Sequence, residues 1–79
     1  MSTSAARTAH ALIADVRFEK DRMHVYLQDG RELLVPLEWF PRLAKATVAE
    51  RKDWRLVGGG IGIHWKTLDE DVSAQGLLA

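Results

Sequence analysis

Between Ala14 and Val35 the apolar residues fall on every second position, and few arrangements of turns keep them on one side. Ala14, Val16 and Phe18 alternate with Asp15, Arg17 and Glu19, the period of a strand with one buried face. A polar Glu19-Lys20-Asp21-Arg22 follows, and Met23, Val25 and Leu27 resume the alternation against His24, Tyr26 and Gln28. A tight turn centred on Lys20-Asp21 pairs Phe18 with Met23 and Val16 with Val25. The next reversal holds Asp29-Gly30, which suggests a two-residue hairpin loop. That loop would set Val25 opposite Leu34 and Leu27 opposite Glu32, mixing the faces. A three-residue loop, Gln28-Asp29-Gly30, instead pairs Val25 with Leu33 and Met23 with Val35. It also places Gly30 where a left-handed backbone is required. Register follows the buried face, so the longer loop is predicted.

Pro36 cannot donate to a ladder and ends the third strand. Leu37, Phe40, Leu43 and Ala44 then recur at helical spacing, with Pro41 tolerable in a first turn. Thr47 and Glu50 form a capping box: the Thr47 hydroxyl accepts from the Glu50 amide, and the Glu50 carboxylate reaches back. A second short helix is therefore predicted from Thr47 to about Asp53. The segment "WRLVGGGIGIHW" reads as another hairpin, turning at Gly59-Gly60, with Leu56 opposite Ile63 and Trp54 opposite Trp65. Val57, Gly62 and His64 point the other way. Asp69 and Ser73 are capping candidates ahead of Leu77 and Leu78, implying a last turn of helix.

The fold predicted is α+β. A small single-layer antiparallel sheet, in the order β-β-β-α-α-β-β, carries two short helices packed on one face and a short C-terminal helical segment. One domain spans residues 11–79. Residues 1–10 are small and polar and are expected to form a flexible tail.

At 79 residues the chain buries only about 60–65% of its unfolded surface. It contains no cysteine, which excludes disulfides and thiolate metal ligands. Eleven basic residues balance eleven acidic ones, whereas a dedicated nucleic-acid binder carries a basic excess. No apolar run approaches the roughly 18 residues of a membrane span, and the first residues lack the pattern of a signal peptide. A soluble, cytoplasmic protein is expected, with no membrane association.

"GGGIGIHW", residues 58 to 65, invites a phosphate-loop reading. The Walker loop needs a Gly-Lys-Ser/Thr end, and the dinucleotide fingerprint needs a third glycine where Ile63 stands. The glycines are expected to make a turn. His64 is the best single candidate for chemistry, with Asp69 and Asp71 near enough to orient it or to join it as hard metal ligands. That spacing matches no recognised signature, so a histidine on a polar strand face is the favoured alternative. His10 lies in the tail and His24 on an outer strand face. Trp39, Trp54 and Trp65 cannot all be hidden in so small a domain; Trp39, beside Phe40, is the candidate for an exposed partner patch. Arg42, Lys45, Arg51, Lys52 and Arg55 form a basic segment, a solvated helical face or a partner surface. No catalytic constellation, metal set or cofactor motif is expected.

The motifs as a set resemble a bacterial family, domain of unknown function 2442. They are Asp29-Gly30-Arg31, Pro36-Leu37, Phe40-Pro41-Arg42-Leu43, Ala46-Thr47, Glu50-Arg51, His64-Trp65, Leu68 to Asp71, and Gly76-Leu77-Leu78. Lys66 departs from the pattern, which has proline there. The resemblance implies a small α+β domain without assigned activity, found alone, fused to a DNA-binding helical domain, or encoded beside another small protein as in a toxin–antitoxin pair. It carries no catalytic residues. The functional expectation is thus a non-enzymatic interaction or regulatory module, antitoxin-like, whose partner is the product of a neighbouring gene. Alternatives are a DNA-binding accessory domain using residues 42–55 and a small-ligand or metal-binding domain around His64. Exposed sheet edges add the expectation of a homodimer.

Overall fold

The structure, a computed structural model, describes residues 11–78. Strands β1 (Ile13–Glu19), β2 (Arg22–Leu27) and β3 (Glu32–Pro36) form one antiparallel sheet in chain order. A 3₁₀ turn (Leu37–Trp39) and helices α1 (Pro41–Ala44) and α2 (Val48–Lys52) lead to β4 (Trp54–Val57), β5 (Gly62–Trp65) and β6 (Glu70–Ser73). These make a second three-stranded antiparallel sheet, and α3 (Ala74–Leu78) follows. The α+β class stands, but the single sheet predicted from sequence is two sheets, and there is a sixth strand. Asp69, at φ +52°, turns the chain back, so that Val72 lies opposite Ile63 and Asp71 opposite His64. An edge strand with one buried apolar residue, Val72, has too little alternation to be read in sequence.

In the first sheet the register is the one demanded by the apolar face. Phe18 pairs with Met23 and Val16 with Val25, while Val25 faces Leu33 and Met23 faces Val35. The three-residue loop closes with the Leu27 amide donating to the Arg31 carbonyl, at 2.8 Å, and Gly30 at φ +97°. The start of β1 differs from expectation. Ladder register shifts between Ile13 and Asp15, so Ile13 is buried and Ala14 is exposed. The extra residue of a β-bulge reverses the side-chain alternation. The Asp15 carboxylate accepts from the Val16 amide, at 2.8 Å, just after the irregularity.

The helical spacing over residues 37–44 resolves into two pieces. Phe40 lies at φ −129°, ψ 85°, because the residue before a proline is pushed out of the helical region. Pro41 then opens α1, where its missing N–H is no loss. Leu37 and Leu43 are buried from the two pieces, and Phe40 packs against the core between them. The capping box forms as predicted, with Glu50 N–H to Thr47 Oγ1 at 3.1 Å and Thr47 N–H to Glu50 Oε1 at 2.9 Å. Ser73 caps α3 through its hydroxyl, which accepts from the Gly76 amide at 2.9 Å. Asp69 does not cap; it sits in the β5–β6 turn.

The glycine turn joins the two halves. Gly58, Gly59 and Gly60 all have positive φ. The Ile13 amide donates to the Gly60 carbonyl at 2.7 Å, and the Ala74 amide donates to that of Ile61 at 2.9 Å. Gln28 Nε2 reaches the Gly59 carbonyl at 3.3 Å. A Cβ on Gly60 would lie 2.5 Å from the Ile13 oxygen, so only glycine lets β1 come this close. Apolar residues of both sheets meet in one core that includes Ile13, Val25, Leu43, Ile63 and Trp65.

Trp54 and Trp65 are cross-strand partners, as the register required. The ring that meets Trp65 edge-on, however, is Phe18 of the other sheet, at 6.5 Å between centroids and 68° between planes. The Trp65 indole N–H donates to the Arg51 carbonyl at 2.9 Å. This bond matters because a buried N–H without a partner would cost about 1–3 kcal/mol. The expected N-terminal tail, with His10, lies outside the described residues.

Candidate functional site

His64 sits on the middle strand of the second sheet. Arg55 of β4 is its ladder partner on one side and Asp71 of β6 on the other. The Asp71 carboxylate accepts from His64 Nδ1 at 2.7 Å, which fixes the ring and leaves Nε2 as the outward nitrogen. The side chains of His64 and Asp71 are 30% and 73% exposed. A contact in so open a setting contributes little, about 0–1 kcal/mol. The pair resembles the base-and-orienter half of a catalytic set; the hydroxyl on its strand ladder, Ser73, lies opposite Gly62 and accepts from the Gly76 amide. Asp69 takes no part: its backbone carbonyl accepts from the Arg42 guanidinium. The sequence trio His64, Asp69 and Asp71 is therefore a pair plus a turn residue. Among the described residues no group of three or more His, Asp or Glu is placed to hold a metal ion.

The residues expected to meet a partner differ in how free they are. Trp39 is 64% exposed. Phe40 is half-buried against the core. Arg51 donates from Nε to the Leu43 carbonyl at 2.8 Å and from Nη2 to that of Ala44 at 2.9 Å. It thereby adds a second donor to the Leu43 carbonyl, which also accepts from the Ala46 amide at 3.2 Å, and supplies one to that of Ala44 at the end of α1. Arg42 is similarly tied to the Asp69 backbone. Lys45, Lys52 and Arg55 are exposed.

Two arrangements escaped the sequence reading. On the outer face of the first sheet, His24 Nε2 lies 2.9 Å from Glu32 Oε1, and the Tyr26 ring stacks on His24 at 4.4 Å and 16°. The residues are i and i+2 on β2, so the period-two pattern did place them on one face. The second is a groove of about 470 Å³ between β1 and α2. Val16, Phe18, Val48 and Trp54 supply its apolar lining, and Arg17, Lys20, Arg51 and Lys52 its charge. Nothing in the local pattern links these residues, which come from two distant stretches. Elsewhere, hydrogen bonds from the Arg31 side chain, then its backbone amide, hold the Asp29 carboxyl below its ordinary range.

Comparison with known proteins gives the following. The family model described as protein of unknown function (DUF2442) matches residues 13–79. A crystal structure of a protein of unknown function from Rhodospirillum rubrum is similar with a TM-score of 0.76 and 29% identity, covering 89% of this chain and 87% of that one. A solution structure of an uncharacterized protein from Chromobacterium violaceum has a TM-score of 0.73 and 26% identity, covering 96% of this chain and 71% of the other. No curated protein matches.

Proposed function

The chain belongs to the family of proteins of unknown function DUF2442, and from that premise we propose that it works as a non-enzymatic interaction and regulatory module. The observation that carries this reading is Trp39. The 3₁₀ turn buries Leu37 while leaving the indole two residues on 64% exposed. An indole offers about 150–250 Å² of apolar contact surface, and tryptophan is enriched among the residues that dominate interface energy. Holding it on a short anchored turn lowers the ordering cost of binding. The expected partner is the product of an adjacent gene, in an antitoxin-like pairing.

Co-expression with the adjacent gene product, followed by purification through a tag on one chain, tests this. The complex should co-purify, and Trp39→Ser should weaken it by about 2 kcal/mol or more, as hot-spot residues do. Absence of a complex, or a Trp39→Ser variant that binds as tightly as the parent, defeats the reading. No helix among the described residues is long and apolar enough to cross a membrane.

A further inference from the structure

We propose that the groove between β1 and α2 is a docking site for an extended, acidic segment of a partner protein carrying an apolar anchor residue. Charge complementarity is the first support. Lys20 and Lys52 line the groove and have no ion-pair partner among the described residues. Arg51 keeps its guanidinium in the same wall by bonding only backbone carbonyls, so its charge is not cancelled. Net charge over the chain is zero, and this concentration of cations is therefore local.

The floor supplies the second support. Val48 is 65% exposed on the helix side, and half-buried Phe18 and Trp54 lie beneath. An apolar side chain seated there would cover surface that water now wets. The wall formed by β1 determines the conformation of the occupant. β1 is an outer strand paired only with β2, and alternate backbone groups on its other edge face outward. The Val16 amide on this edge is already taken by the Asp15 carboxylate, which leaves the next outward-facing residue, Phe18, to pair with an incoming strand. An extended peptide is what such an edge accepts.

The chain's own segments do not fit. Residues 1–10, MSTSAARTAH, include Arg7 and no acid, so the cations would repel them. The acidic run Asp69–Glu70–Asp71 of a second copy is built into a turn and a strand, with Asp71 bonded to His64. A separate acidic partner is the remaining occupant.

The test is fluorescence anisotropy at ~50 mM salt, where exposed charges are weakly screened. The probe is a labelled, amidated peptide alternating glutamate with valine around one phenylalanine. A second peptide has lysine in place of each glutamate, and a third probe is a labelled oligothymidylate. The acidic peptide should bind and the lysine peptide should not, with affinity falling as salt rises. Lys20→Glu with Lys52→Glu should weaken binding about tenfold or more, and Val48→Asp should do the same by removing an apolar contact and adding repulsion. All three positions are exposed; an acid at the first position of α2 suits the helix N-terminus, and although Lys52→Glu gives up a favourable charge in the last turn, circular dichroism should show the fold retained. Amide shifts on titration should centre on residues 16–20 and 48–54.

Equal binding of the two peptides, indifference to the charge reversals, or tighter binding of oligothymidylate overturns the proposal. Trp39 does not line the groove, so Trp39→Ser should leave peptide affinity unchanged. This inference and the contact proposed for Trp39 therefore fail separately.

Discussion

Gly30 and Gly60 both close hairpins with the backbone in the left-handed region, at φ +97° and +113°. Around Gly30 an added Cβ would meet nothing within 4 Å. At Gly60 it would lie 2.5 Å from the oxygen and 2.9 Å from the nitrogen of Ile13. The first glycine is needed for its dihedral freedom alone. The second is needed for that freedom and for the space that lets one sheet touch the other. A shared φ therefore conceals different degrees of necessity, and the surrounding backbone decides between them.

Gly60→Ala should show the largest effect, roughly 2–6 kcal/mol, combining left-handed strain with a clash that has only backbone to displace. In a domain this small such a loss approaches the total stability. Urea denaturation followed by circular dichroism would measure it, and a midpoint close to the parent's would break the comparison. Gly59→Ala sharpens it. Gly59 is in the same turn at φ +68°, with open space around it. It should cost about 1–2 kcal/mol, as Gly30→Ala should, because dihedral strain alone remains. The difference between the Gly60 and Gly30 variants, whose φ values lie closer together, reports chiefly the crowding against Ile13 and Leu12.

The smallest effect belongs to the Asp29–Arg31 pair beside Gly30. Arg31 holds the Asp29 carboxyl below its ordinary value, so the charged form is favoured by folding. Its contribution is present above the unfolded carboxyl range and is lost as pH falls through the lower, folded value. Asp29→Asn should therefore flatten the acid limb of a stability–pH curve and match the parent once both are protonated or neutral. An unchanged acid limb would show that this exposed turn gains nothing from the pair.

The same contrast explains what the sequence could reveal. The hairpin registers were legible because a single buried face admits one alignment: Met23 with Val35, Val25 with Leu33, Leu56 with Ile63. Ala14 was misassigned because a bulge reverses the alternation and no residue type announces it. β6 was hidden because Glu70, Asp71 and Ser73 are polar and Val72 alone faces the core. That omission also hid how His64 is held, since Asp71 reaches it only through the β5–β6 ladder. The cations were visible as a run, but backbone carbonyls that occupy Arg42 and Arg51 become neighbours only in the folded chain. For the same reason, Phe18 could not be foreseen as the ring that meets Trp65.

The joint at the glycine turn also bears on how the molecule comes apart. Each sheet is a meander whose ladders connect neighbours in sequence, and such contacts close short loops at small entropic cost. The hydrogen bond from Ile13 to Gly60 spans the whole of the first sheet and both helices. Local openings begin where few apolar contacts are buried. The seam, which closes over fully buried Ile13 and Trp65, therefore parts only when the whole core is lost, and the two sheets come apart as one cooperative event.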